Sequence, residues 1–223
     1  MGLNIAQGNM YTWLTHTWNT VKGECPHGCT YCYMKRFGKQ KPVRFDDKEF
    51  NTDLGSGNFI FVGSSCDMFA HDIDKDWIGH TLAHCRKFHN RYLFQTKNPA
   101  GFLECMKYNL LPERSVICTT IETNRWYPEF MQNSPKPLQR AKKMLKLSFY
   151  FRTYVTIEPI MDFDLQSMVG LIKVCHPQQV NIGADSGNND MPEPSFVNIQ
   201  LLIEQLKMFT TIDKKYNLKR LLK

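Results

Sequence analysis

The chain has 223 residues, 42% hydrophobic and 22% charged, ordinary proportions for a globular protein able to bury a substantial core. No run approaches the roughly 18 apolar residues of a membrane helix, and residues 1–10 are polar, without the apolar centre of a signal peptide. The formal charge is +7, from 28 Lys and Arg against 21 Asp and Glu, which favours polyanionic partners such as nucleic acid or nucleotides. The basic excess is concentrated in 35–44 and 136–146. Clusters of that kind suit a groove that tracks phosphates, and a solvated helix face accounts for the second equally well.

Residues 1–14 carry Tyr11 and Trp13 without periodicity and are expected to lead into the first strand. Segment 15–21 is rich in β-branched and aromatic residues and predicts a short strand. A loop follows, and then a helix expected from Thr30, as N-cap, to Phe37. Residues 38–57 lack a core stripe, with a short helix expected at 46–51. The run 58–63 is continuously apolar, as in a parallel strand buried on both faces. Helix 74–88 comes next, with Trp77, Ile78, Leu82 and Cys85 at helical spacing.

The alternation then repeats. Strand 92–96 precedes helix 99–107, strand 115–121 precedes a basic helix 137–147, and strand 151–157 precedes helix 165–174. Strand 179–183 precedes helix 194–209, and the basic tail 214–223 adds a further short helix. Six strands alternating with helices predict right-handed crossovers and a parallel sheet. Six fall short of the eight in a closed TIM barrel. The expected fold is therefore α/β, an open (β/α)6 partial barrel. It forms one domain over 1–223, with the C-terminal helices of 194–223 packed on it.

The loop after the first strand reads Glu24-Cys25-Pro26-His27-Gly28-Cys29-Thr30-Tyr31-Cys32-Tyr33. Its thiols are spaced Cys-x3-Cys-x2-Cys around the turn residues Pro26 and Gly28. Thiolates converging on one centre select zinc, copper(I) or iron–sulfur clusters. A structural zinc wants four ligands, and so does a typical cluster. With three, a four-iron cluster keeps one iron open, whereas zinc would need His16 or His27 as its fourth ligand. Cys66, Cys85, Cys105, Cys118 and Cys175 are scattered singly, which suits a reducing cytoplasm rather than a disulfide framework.

This spacing, with Tyr31 just before the third cysteine, resembles the signature of the radical S-adenosylmethionine (radical SAM) superfamily. The resemblance implies that Cys25, Cys29 and Cys32 hold a [4Fe–4S] cluster whose open iron binds S-adenosyl-L-methionine. Reductive cleavage of that cofactor, fed by a reductant such as flavodoxin or ferredoxin, would give a 5′-deoxyadenosyl radical that abstracts hydrogen from the substrate. No second cysteine cluster marks an auxiliary cluster domain.

Active sites of parallel barrels lie at the C-terminal strand ends, and here each end is polar. Gly63, Ser64 and Ser65 stand where the superfamily has Gly-Gly-Glu, so contact with the cofactor's amino group would rest on backbone carbonyls or hydroxyls. Lys97 precedes a helix, where a cation opposes the macrodipole; the resemblance pairs it with the cofactor's carboxylate. Glu122, with Thr120 and Asn124, falls at the ribose position, and Glu158 where further cofactor or substrate contacts lie. A charge at the end of a hydrophobic strand must be paired. The stretch Asn181-Ile182-Gly183-Ala184 would supply backbone contacts to adenine, and the polar loop 185–189 would reach substrate.

Several phrases, among them Thr17-Trp18-Asn19, Gln95-Thr96-Lys97-Asn98-Pro99 and Ile157-Glu158-Pro159, resemble an uncharacterised family found often in phages and prophages. That family is similar to spore photoproduct lyase. The lyase has a hydrogen-donating cysteine after its second strand; Cys66 lies in the same neighbourhood, and a small buried thiol packing as a hydrophobe is its alternative reading.

Three functions follow. The first is a radical enzyme acting on a nucleotide or nucleic acid in a DNA modification or repair-like reaction, with Trp126 and Tyr127 as a stacking surface. The second is a radical enzyme acting on a small molecule or peptide. The third is a non-catalytic, zinc-stabilised nucleic-acid-binding protein.

Overall fold

The computed structural model describes residues 2–187 and 189–223. Asn188, part of the expected polar loop, lies outside the described residues. The strands in chain order are β1 (Asn4–Ile5), β2 (His16–Trp18), β3 (Val21–Lys22), β4 (Arg44–Phe45) and β5 (Phe59–Val62). They continue with β6 (Arg91–Thr96), β7 (Ser115–Thr120), β8 (Arg152–Ile157), β9 (Gln179–Ile182) and β10 (Thr211–Lys214). The α-helices are α1 (Lys75–Cys85), α2 (Ala100–Lys107), α3 (Pro128–Met131), α4 (Pro137–Ser148), α5 (Leu165–Val174) and α6 (Phe196–Lys207).

One sheet runs β1-β2-β5-β6-β7-β8-β9-β10, parallel throughout except for the antiparallel β1–β2 edge. The α/β partial-barrel class holds, extended by one strand at each edge beyond the six expected. β10 is Thr-Ile-Asp-Lys, polar and part-exposed. It lacks the apolar run that marks the inner strands, so the tail expected as helix alone is a strand followed by a 3-10 helix, Tyr216–Leu221.

The inner strands are buried on both faces for two different reasons. Strand side chains alternate. Ile60, Val62, Tyr92, Phe94, Ile117, Val155 and Val180 face Leu82, Phe102, Met144 and Leu202 of the helices. Their alternate neighbours Phe59, Phe61, Leu93, Val116, Cys118 and Tyr154 pack on Tyr11, Leu14 and Trp13. Residues 6–14 are thus a plug filling the concave face rather than a lead-in. Trp13 stacks on Tyr11 at 4.9 Å and donates to Asp213 on β10 at 3.1 Å, tying this segment to the last parallel strand. Isolated aromatics carry no period, so this role was invisible in the pattern.

The first crossover holds no α-helix. β3 and β4 pair antiparallel, with Lys22 donating to Asp46 at 2.7 Å and Glu49 at 2.6 Å. The helix expected from Thr30 is a 3-10 turn at Tyr33–Phe37. Thr30 is not its cap: its backbone N–H donates to Phe130 instead, and its hydroxyl is buried without a partner.

Candidate functional site

The cysteine loop is anchored from two sides. On one, the segment around α3 holds its backbone: Thr30 N–H donates to the Phe130 carbonyl at 3.0 Å and Asn133 N–H to the His27 carbonyl at 3.1 Å. The Cys29 thiol lies 3.7 Å from the Met131 carbonyl. On the other, His27 Nε2 meets Asp67 Oδ2 at 2.8 Å. Asp67, just beyond β5, also accepts from the Thr96 hydroxyl and the Lys97 backbone N–H, each at 2.8 Å. One carboxylate therefore joins the loop to the ends of β5 and β6. Burial pushes its carboxyl up, and the bond and charge of His27 outweigh that and hold it below the ordinary value.

The thiols share one electrostatic neighbourhood. The adjacent Cys66 thiol stabilises the Cys25 thiolate against burial, lowering Cys25 to about 7; the same proximity, with burial, pushes Cys66 far up. Burial first, then Cys25 and Cys29, raises Cys32. Among the described residues, no three His, Cys, Asp or Glu side chains gather as a site for a metal ion. His16 bonds Thr15, and His27 is engaged by Asp67.

Tyr31, Lys97 and Glu122 come together as one cluster. Glu122 is fully buried. It accepts from the Tyr31 hydroxyl at 2.5 Å, from Lys97 Nζ, and from Arg140 Nη1 at 2.7 Å. Burial alone would raise its carboxyl, but the charges of Arg140 and Lys97 hold it well below the usual carboxylate range. The expected ribose-facing carboxylate and carboxylate-pairing lysine are thus bonded to each other. Both belong to the rim beside the loop, because Lys97 also lies over the Tyr31 ring at 4.8 Å.

Arg140 went unread in the sequence. It is fully buried, and it also donates to the carbonyls of Pro135 at 2.6 Å and Thr120 at 2.9 Å and to Ser134 at 2.9 Å. Its signal was position: on α4 it falls on the buried stripe of Pro137, Ala141, Met144 and Leu147.

Asn19, which the sequence offered only as part of a family phrase, organises the Gly63 turn. Its side-chain oxygen accepts from Ser65 N–H at 2.9 Å and Ser64 Oγ at 3.2 Å, while Tyr33 donates to the Ser64 carbonyl at 2.6 Å. Gly63 has φ +80, a conformation that favours glycine. The Ser65 hydroxyl is buried without a partner.

A second polar cluster surrounds Glu158. It accepts from Lys215 at 2.5 Å, Asn9 at 2.8 Å and Asn217 at 3.0 Å. The side-chain oxygens of Asn9 and Asn217 are buried and unpartnered. A Cβ at Gly183 would stand 2.7 Å from Glu158 Oε1 and 2.9 Å from Asn217 Oδ1. Asn181 lies deeper, donating to Thr156 at 3.1 Å and accepting from Gln179 at 2.7 Å. The Thr120 hydroxyl accepts from Gln95 at 3.2 Å. Asn124 stands apart from both clusters: its amide exchanges bonds with Asp164 at the start of α5.

Residues 9–198 match the model of one protein family. The chain belongs to that family, described as a protein of unknown function, DUF5131. No curated protein matches it. Among solved structures it is similar to spore photoproduct lyase complexed with dinucleoside spore photoproduct. The TM-score is 0.58 at 11% identity, over 92% of this chain and 66% of the lyase. A lyase mutant with bound AdoMet and dinucleoside spore photoproduct matches with TM-score 0.55 at 10% identity, covering 92% and 66%. SuiB of Streptococcus suis bound to precursor peptide SuiA matches with TM-score 0.58 at 9% identity, covering 89% of this chain and 48% of SuiB. The chain thus spans about two-thirds of the lyase and half of SuiB. At these identities the likeness is one of fold: the chain has the partial barrel seen in these enzymes. No helix among the described residues is long and apolar enough to cross a membrane.

Proposed function

We propose that this protein is a radical SAM enzyme in which Cys25, Cys29 and Cys32 hold a [4Fe–4S] cluster. The observation that carries the reading is a three-thiol loop tied by Asp67 to the strand ends of a radical-SAM-like barrel. The donor set fits by chemistry: three thiols on one loop are the ligands an iron–sulfur cluster takes, and Cys25 and Cys29 stand near enough to Cys32 to act on it electrostatically. Met131, Met161 and Met191, with Trp126 and Tyr127, pack around Cys29 and Tyr31 and limit water there. When bound, S-adenosylmethionine and the cluster would supply a carbon-centred radical, the hard chemistry that the protein positions.

The chain's own polar groups would hold that cofactor. The unpartnered Ser65 hydroxyl and the carbonyls of the Gly63 turn suit its amino group. Lys97 suits its carboxylate, exchanging one carboxylate partner for another. Glu122 remains held by Arg140 and Tyr31 when Lys97 turns away. The unpartnered oxygens of Asn9 and Asn217, beside Glu158 and Gly183, suit the N–H donors of a purine or of the substrate. Cys66, buried next to Cys25, would serve as hydrogen donor to the product radical.

For the substrate we favour a nucleotide or nucleic acid over a peptide. Net charge +7 and the half-buried Trp126, with Lys136 5.9 Å from its ring, form a cationic, aromatic edge beside the cysteine loop. The test is anaerobic reconstitution with iron and sulfide, followed by assay of 5′-deoxyadenosine from S-adenosylmethionine and reductant. About four irons per chain and product that disappears in Cys29→Ala are expected. A protein retaining one zinc and forming no deoxyadenosine would favour the binding-module reading. Unchanged turnover and product distribution in Cys66→Ala would dismiss the donor role.

A further inference from the structure

Between α4 and the start of α2 lies a cavity of about 460 Å³ lined by Lys142, Lys143, Lys146 and Gln139 on one side and Asn98 and Ala100 on the other. No carboxylate lines it. All three lysines are exposed, and none makes an ion pair among the described residues. α4 contains no acidic residue at all. Lys142 and Lys146 are four apart, and Lys143 and Lys146 three apart, so like charges adjoin on one helix face and repel. Carboxylates at those spacings would relieve the repulsion, and α4 has none. Across the cavity, α2 begins without a side-chain cap and without an acidic residue in its first turn, leaving its N-terminal partial positive charge uncompensated.

The cavity adjoins the candidate active site. Arg140 forms part of its lining but has its guanidinium committed to Glu122, Thr120, Pro135 and Ser134, so it serves as a floor shared with the rim. Asn98 directly follows Lys97. Four residues before Arg140, Lys136 lies beside the Trp126 ring. In the other direction Gln132 borders the cysteine loop, where a Cβ added at Gly28 would stand 3.8 Å from its Cβ, and the Gly28 carbonyl has Lys35 Nζ 3.5 Å away. The two basic stretches of the sequence therefore flank the same loop.

We propose that this cavity binds the phosphodiester backbone of a single-stranded or unpaired nucleic acid segment, with Lys142, Lys143 and Lys146 on phosphates and Trp126 stacking a base toward the cysteine loop. This rests on the nucleotide-substrate reading above and adds to it where the backbone runs. Phosphate-tracking lysines beside an aromatic platform are the arrangement by which single strands are held without sequence preference.

The test is fluorescence anisotropy of a labelled single strand of about 15 nucleotides across a salt series. It compares the wild type, Lys142→Glu/Lys143→Glu, and the control Lys173→Glu/Lys207→Glu on α5 and α6, which changes net charge equally. The cavity pair is expected to weaken binding about tenfold or more and to lower the salt slope by about 0.7 per lost phosphate contact. The control pair, which does not line the cavity, should change affinity less than about twofold, because exposed charges away from the bound phosphates are screened by salt. Equal weakening by both pairs, or none by the cavity pair, would overturn the assignment while leaving nucleic acid as substrate. A wild type that binds no oligonucleotide would overturn the substrate reading and the cavity with it. Tight binding of inorganic pyrophosphate without oligonucleotide binding would show a free-anion site and likewise overturn it.

Discussion

β7 and β8 run out into the same tripeptide, Thr120-Ile121-Glu122 and Thr156-Ile157-Glu158, set side by side with Thr120 paired to Thr156. Yet the two carboxylates live differently. Glu122 is sealed, with two cations and a phenol on its oxygens. Glu158 keeps some exposure, 17% of its side chain, and meets one cation and two amides whose own oxygens are left over. Local sequence cannot produce that difference. It comes from α4 in one case, and in the other from the two chain ends, Asn9 on one side and Lys215 and Asn217 on the other. The first cluster reads as a braced wall of the site, the second as the part with hydrogen-bonding capacity to offer a ligand.

Substitutions can break or sharpen this contrast. Glu122→Ala should cost the most, about 3–5 kcal/mol in urea denaturation, because Arg140 would be left as an uncompensated buried charge. Glu158→Ala should cost less, about 1–3 kcal/mol, since Glu158 holds one cation rather than two and keeps 17% of its side chain exposed; equal losses at the two sites would erase the distinction.

A pH series separates them further. Glu122 sits below the unfolded carboxylate value of about 4.3. Its contribution is therefore complete above that pH and is lost as pH falls below it toward the folded-state value. The stability gap between wild type and Glu122→Gln should accordingly narrow between about pH 5 and pH 3. A gap constant over that range would mean that the carboxylate is not held ionised by Arg140 and Lys97.

Gly183→Ala should act on the second cluster alone. Its Cβ would meet Glu158 and Asn217, costing about 1–3 kcal/mol and weakening S-adenosylmethionine binding by calorimetry. Asn124→Ala should change least, about 0.5–1 kcal/mol for its link to Asp164, with cofactor binding intact. A large loss of binding there would return Asn124 to the ribose position that the resemblance implied.

The inner strands and most helices were legible because their signals are local and periodic. The run Phe59-Ile60-Phe61-Val62 and the 3.6-residue stripe of α4 each mark their own element. The edges were not, since β10 and the plug of Tyr11 and Trp13 are defined by what they pair with across the chain. At the site, the spacing of Cys25, Cys29 and Cys32 was legible, and so was the placement of Lys97 and Glu122 at strand ends. Their mutual bond was not, because it depends on Arg140 entering from a helix 18 residues beyond Glu122. Asp67 was hidden for the same reason: its four bonds run to His27, Phe69, Thr96 and Lys97, three of them to residues distant in sequence.

The most direct test of the central claim is EPR of the reconstituted, reduced protein before and after S-adenosylmethionine is added. A reduced-cluster signal that shifts on addition, in the wild type and in Glu158→Ala at higher cofactor concentration, and that is absent from Cys25→Ala, Cys29→Ala and Cys32→Ala, is predicted. A protein that holds no iron, or a cluster signal that the cofactor leaves unchanged, would contradict it.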